Sequence, residues 1–155
     1  MPDVVERIDI DAPPERVWAV LTDWASQGAW MLATDVRTVD GPAQGVGGRL
    51  AARTGLPLPG GRHVGVLDTM VITKWEPPRL VEVQHTGRLI RGPGIFEVEP
   101  RGEFSTFVWS EHLYLPWGPL GLLANAGWVL VRPFVLFGIR RSLKRFARVA
   151  AGSAP

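Results

Sequence analysis

GWVLVRPFVLFGIRRSLKRFARV, residues Gly127–Val149, begins apolar and ends basic. Whether it spans a membrane, docks a partner or covers a core decides what the rest of the chain must be. A span needs about 20 consecutive apolar residues in unbroken helix. Leu113 to Val131 is uncharged, but Pro116, Gly118, Pro119, Gly121 and Gly127 interrupt it, and a strand-like segment directly precedes it. A span is therefore rejected. From Trp128 onward, Val135, Ile139, Leu143, Phe146 and Ala150 recur at three, four or seven residues, which places them on one helical face. Arg140, Arg141, Lys144, Arg145 and Arg148 occupy the remainder. Pro133 either begins the regular helix or kinks it. The stretch reads as a helix laid by its apolar stripe across a surface that the upstream chain must supply.

The upstream chain supplies strands. Val5 to Ala12 alternates apolar and polar residues as a half-buried strand does. PPERVWAVLTDW follows, with Pro at its start and Val17, Leu21 and Trp24 spaced for one helical face. A second short helical turn is expected at ASQGAWM. Six strand-like segments then succeed one another: TDVRTVD, GGRLAARTG, VLDTMVITKWE, RLVEVQHTGR, GIFEVEP and STFVWSEHLYLP. Gly- and Pro-rich breaks separate them, at GPAQGVGG, GLPLPGGRHVG, EPP and EPRGEF. Short connections of this kind join neighbours into an antiparallel meander. The predicted order is strand, helices, six strands, long helix, in a single domain over residues 1–150 with a short disordered tail at 151–155.

Composition bounds the chemistry. Hydrophobic residues make up 46% and charged residues 21% of the 155, an ordinary globular balance. Without Cys the chain has no disulfide, thiolate metal site or Cys nucleophile. The three His residues, 63, 85 and 112, have no metal-ligand spacing. No GxSxG elbow and no phosphate-binding glycine loop occurs. Neither a metal nor a cofactor is expected. An acidic N-terminus without a long apolar run points to the cytoplasm.

Charge is unevenly spread. All 15 acids lie at or before Glu111 beside 11 Lys or Arg, while residues 112–155 hold six basic residues and no acid. The body is therefore about −4 and the tail +6. Such a basic face is either solvated beside the acidic body or set against an anionic membrane surface. Nucleic acid is not expected, because no aromatic residues interleave with the basic run in a known binding pattern.

Three segments in this order, IDIDAPPERVWAVLTDW, WEPPRLVEVQHTG and TFVWSEHL, resemble the START-like (SRPBCC) superfamily in its polyketide cyclase/dehydrase and lipid-transport branch. The resemblance covers nearly the whole chain. It implies an α+β helix-grip fold, in which a curved antiparallel β-sheet of about seven strands wraps around a long C-terminal helix. Pollen-allergen-type relatives carry a glycine loop at the place of Gly45 to Gly48, where a plain hairpin turn is the simpler reading.

Strand alternation then nominates the cavity wall. Phe107, Trp109, Glu111 and Leu113 form the bulkier and more apolar parity of their strand and are assigned inward. His85 shares a face with Val81 and Val83, and Phe96 pairs with Val98. The strand around Arg53 is ambiguous. Trp18 and Trp24 read as packing residues, and Trp75 and Trp109 as pocket residues. Trp128, Val135, Ile139 and Leu143 would close the cavity from the helix. The polar candidates are thus His85, Glu111 and Arg53, either a satisfied internal pair or a group that orients a ligand.

Three functions stay open at this point. The first is binding of a hydrophobic small molecule or lipid, with the LPWGPLGLLANAG segment as a movable lid. The second is the aldol cyclisation or dehydration that the resemblance implies. There His85 would be the base, Glu111 its orienter and Arg53 the electrostatic partner of an enolate. The third is lipid handling at a membrane through Arg140 to Arg148. The apolar Trp117 to Trp128 segment could close the cavity or cover a homodimer surface, and the sequence does not choose.

Overall fold

The computed structural model describes residues 3–59, 62–114 and 119–153. Seven strands form one antiparallel sheet: β1 (Asp3–Ile10), β2 (Thr34–Asp40), β3 (Arg49–Leu58), β4 (Arg62–Glu76), β5 (Leu80–Thr86), β6 (Arg91–Arg101) and β7 (Phe104–His112). Their spatial order is β1-β7-β6-β5-β4-β3-β2. Helix α1 (Pro14–Thr22) and a 3-10 turn (Trp24–Ala29) carry the chain from one sheet edge to the other. The meander then returns until β7 pairs with β1. Helix α2 (Pro119–Ala150) closes the structure. This is the helix-grip arrangement expected from the order of elements.

Local contacts fix how the helices meet the sheet and each other. Pro14 opens α1, where a missing N–H costs nothing, and Pro13 O accepts the first amides, from Arg16 and Val17. The buried face of α1 is Val17, Trp18 and Leu21. Arg16 donates to Ala150 O at 3.3 Å and so ties the start of α1 to the end of α2. The inner stripe of α2, Leu143, Phe146 and Ala150, is buried in the same core as Ile10, Phe107 and Trp109. Phe146 is fully buried, 4.9 Å from the ring of Phe107 and 4.7 Å from that of Trp30.

The elements differ from the sequence expectation at their ends. GLPLPGGRHVG was expected as one long break, yet β3 continues to Leu58 and β4 starts at Arg62. Cross-strand pairing from Gly55↔Gly65 to Leu58↔Arg62 outweighs the turn preference of the Gly and Pro residues there. The segment 115–127, expected as a broken lid, is helical from Pro119 onward, and residues 115–118 lie outside the described ones. Pro133 does not begin α2 but sits inside it. The disordered tail expected at 151–155 is also not found at its start. Gly152 N donates to Val149 O and Ser153 N to Arg148 O, with Gly152 at φ +84, a Schellman cap that terminates α2.

Candidate functional site

Between the sheet and α2 lies a cavity of about 580 Å³, within the size range of small-molecule sites. Strands β3 to β7 contribute to it by their parity and helix α2 by one face. β3 presents Leu50, Ala52 and Thr54, β4 presents Val66, Asp68 and Met70, and β5 presents Val83 and His85. Phe96 of β6 and Trp109 and Glu111 of β7 continue the wall, which Val135 and Ile139 of α2 complete.

One polar cluster interrupts this apolar lining. His85 Nδ1 lies 2.6 Å from Asp68 Oδ2, and His85 Nε2 lies 3.7 Å from Glu111 Oε2. The far oxygen of Glu111 accepts a hydrogen bond from Trp109 Nε1 at 2.7 Å. The His85 side chain is only 4% exposed. Burial draws His85 toward its neutral form, but the hydrogen bond to Asp68 and the charges of Glu111 and Asp68 outweigh it. Its pKa is therefore held above the ordinary value. Burial also raises the pKa of Glu111, against the pull of His85 and the Trp109 hydrogen bond. Both groups are thus shifted toward protonation relative to the free side chains. Nε2, the His85 ring atom without a hydrogen-bond partner, is the one available to the cavity.

Three buried polar atoms have no protein hydrogen-bond partner among the described residues: His85 Nε2, Asp68 Oδ1 and Trp30 Nε1. All three residues line the cavity. Buried polar atoms are rarely left unpaired, and each one unpaired costs about 1–3 kcal/mol. The other polar lining groups are satisfied internally. Gln27 donates to Leu21 O, Ser142 Oγ to Gly138 O, and the Thr34 and Thr54 hydroxyls meet at 2.9 Å.

The structure distributes the candidate residues unevenly. His85, Glu111, Val83, Phe96, Trp109, Val135 and Ile139 lie on the cavity wall. Arg53 does not: Leu50, Ala52 and Thr54 face the cavity, so alternation turns Arg53 to the opposite face of the sheet. Trp75 leaves the wall for an aromatic cluster, 5.0 Å from Trp18 and 6.4 Å from Trp24. Phe107 and Leu143 belong to the buried core behind the cavity, and Trp128 is half-buried on α2 away from it.

Asp68 and Trp30 were not among the sequence candidates. The signal for Asp68 is present in VLDTMVITKWE, where Val66, Asp68, Met70 and Ile72 share one parity and Asp68 is the only charge among these four. A bulge between Ile72 and Lys74 shifts the register after that, so Ile72 and Trp75 both turn inward. Simple alternation cannot anticipate that shift. Trp30 follows the 3-10 turn, where neither strand nor helix period applies.

Residues 1–151 match the model of a family described as polyketide cyclase / dehydrase and lipid transport. No curated protein matches the chain. Among solved structures, a protein of Thermus thermophilus superposes with a TM-score of 0.71 at 19% identity, covering 97% of this chain and 98% of that one. The Zhui aromatase/cyclase of a Streptomyces species gives 0.68 at 14% identity, with 96% and 93% covered. The Aha1 dimer of Colwellia psychrerythraea gives 0.55 at 19% identity, with 87% and 93% covered. At these identities the likeness is one of fold.

Proposed function

The chain belongs to the polyketide cyclase/dehydrase and lipid transport family, and on that premise we propose that it binds a hydrophobic small molecule or lipid in the cavity between sheet and α2. The observation that carries this reading is the pairing of an apolar wall with the unpartnered polar atoms of the His85–Asp68 pair, with Trp30 Nε1 a third unpartnered atom on the lining. Sites of this kind take their affinity from the apolar lining and their orientation from a few polar groups. The ligand class is accordingly a largely apolar molecule with a hydroxyl or carbonyl oxygen at one end, received by His85 Nε2–H. Native mass spectrometry of freshly purified protein, followed by organic extraction, tests it. A bound molecule of that class supports the proposal. An empty protein that also fails to take up fatty alcohols and aromatic ketones overturns it.

A second reading, a cyclase or dehydratase, is favoured by the Asp68–His85–Glu111 alignment. His85, held by Asp68, would donate a hydrogen bond to a ligand carbonyl. The Glu111 carboxylate, in its ionised fraction, would take the adjacent α-proton and leave the electron pair on the enolate oxygen. The enolate carbon would then attack a second carbonyl of the same chain, whose oxygen takes the proton back from Glu111. For dehydration, Glu111 would remove the second α-proton while His85 protonates the hydroxyl, so that water leaves and the C=C bond forms. The Glu111 proton then returns to His85. The Asp68 contact at His85 Nδ1 and the upward direction of its pKa favour the donor role over that of base. Arg53, on the other face of the sheet, has no part in it. Unchanged turnover in His85→Ala and Glu111→Ala would rule this reading out.

A further inference from the structure

Helix α2 carries apolar surface and charge along one line. Leu130, Phe134, Phe137, Arg141, Lys144 and Arg148 follow one another at alternating steps of four and three residues, so they form a single stripe. All six are exposed, Leu130, Phe134 and Phe137 at 76%, 78% and 66%. Val129 and Val131, also exposed, widen the apolar half. The opposite face of the same helix is the one that packs on the core through Leu143 and Phe146. A contiguous apolar patch of this kind on an outer face marks an interaction site.

The patch adjoins the mouth of the cavity. Phe134 and Val66 both line the cavity and are both exposed, so they form its rim. Beyond Val66 the β3–β4 hairpin continues outward with Leu56, Leu58 and Val64 exposed. Apolar surface therefore stands on two sides of the opening, on a helix and on a hairpin.

We propose that this face docks on an anionic phospholipid bilayer. Leu130, Phe134 and Phe137 would enter the boundary between headgroups and acyl chains, and Arg141, Lys144 and Arg148 would lie among the phosphates. Charge complementarity selects this occupant. No acidic residue follows Glu111, and the one described ion pair of α2 joins Arg140 to Glu6 of β1, off the stripe. A second copy packed α2 against α2 would cover the apolar half but set one basic half against the other. An anionic bilayer satisfies both halves at once. No helix among the described residues is long and apolar enough to cross a membrane, so α2 would lie on the surface. Docking stands apart from the identity of the cavity's ligand, and either proposal can fail alone.

Co-sedimentation with vesicles tests the docking, using phosphatidylcholine alone and phosphatidylcholine mixed with phosphatidylglycerol. Binding is expected on the anionic vesicles, at least about tenfold weaker on neutral ones and weakened by salt. Leu130→Asp with Phe137→Asp should abolish it, as should Arg141→Glu with Lys144→Glu and Arg148→Glu. These side chains are exposed, and an unchanged thermal midpoint would show that the fold is kept. Equal binding to both vesicle types, or none to either, overturns the proposal. So does a solution dimer that Leu130→Asp with Phe137→Asp splits into monomers, since the patch would then serve a second copy.

Discussion

His85 and Glu111 approach to 3.7 Å from strands that do not pair with each other. β6 lies between them, and its residue opposite Glu111 is Gly94. Without a side chain at that rung, the imidazole reaches over the intervening strand toward the carboxyl group. Asp68 approaches from the other side, two residues along β4 from Met70, which faces His85 directly. The polar cluster is therefore a product of strand order and of one missing side chain.

Gly94→Ala tests this relationship. A Cβ at that position would stand 3.0 Å from His85 Nε2 and 3.2 Å from Val83 Cγ2, tighter than ordinary contact. The imidazole or the valine must shift, at a cost of about 1–3 kcal/mol. We expect a lower urea midpoint together with a displaced His85 ring resonance. A variant with the parent's midpoint and His85 spectrum would show that Gly94 is not what admits the contact.

Asp68→Asn should lower the His85 pKa, because it removes a charge and weakens the hydrogen bond that together oppose desolvation. An NMR titration of the imidazole reads this directly. Asp68→Ala should lower it as well and also leave Nδ1 unpaired, with a stability loss of about 1–3 kcal/mol. If neither substitution moves the titration, the 2.6 Å contact does not set the protonation of His85.

The direction of the His85 shift also fixes a pH dependence of stability. Its folded pKa lies above the ordinary 6.5, so above pH 6.5 the folded state retains a proton that the unfolded state has released. The stabilisation is complete below pH 6.5 and is lost as pH rises through the folded pKa. The slope in that window is at most about 1.4 kcal/mol per pH unit for one group. Glu111, raised from 4.5, acts in the same sense from a lower starting pH. Urea midpoints of the parent protein should fall with pH across the His85 window, and those of His85→Gln should fall less. Parallel curves would remove His85 as the cause.

Much of this architecture was legible because its signals are periodic. Seven strands, two helical segments and the inward parity of His85 and Glu111 follow from spacings of two and of three to four. What escaped was not periodic. Trp75, turned inward by the bulge after Ile72, packs against Trp18 and Trp24 rather than on the cavity wall, and Trp30 reached the cavity from a 3-10 turn. Arg53 shares its parity with Arg49 and Ala51, and the more apolar parity of Leu50, Ala52 and Thr54 is the one that faces the cavity. On this strand the ordinary rule of apolar side inward would therefore have excluded it. The extent of α2 was misread because Gly and Pro residues usually break helices. Here their segment is continuous with a helix whose other end is firmly held by packing.

That unequal hold along α2 supports a last prediction. Phe146 is fully buried between Trp30 and Phe107, whereas Phe137, nine positions earlier, is 66% exposed. Phe146→Ala would open a cavity in the core and should destabilise the fold by about 3–5 kcal/mol. Phe137→Ala removes a side chain of the same size from the surface and should change stability by no more than about 0.5 kcal/mol. Urea denaturation of the two variants measures both values. Comparable losses would mean that Phe137 packs against protein in solution, and the outer stripe of α2 would then not be a free surface. A large loss confined to Phe146→Ala would show that the inner face of α2 anchors the helix while its outer stripe at Phe137 is a free surface.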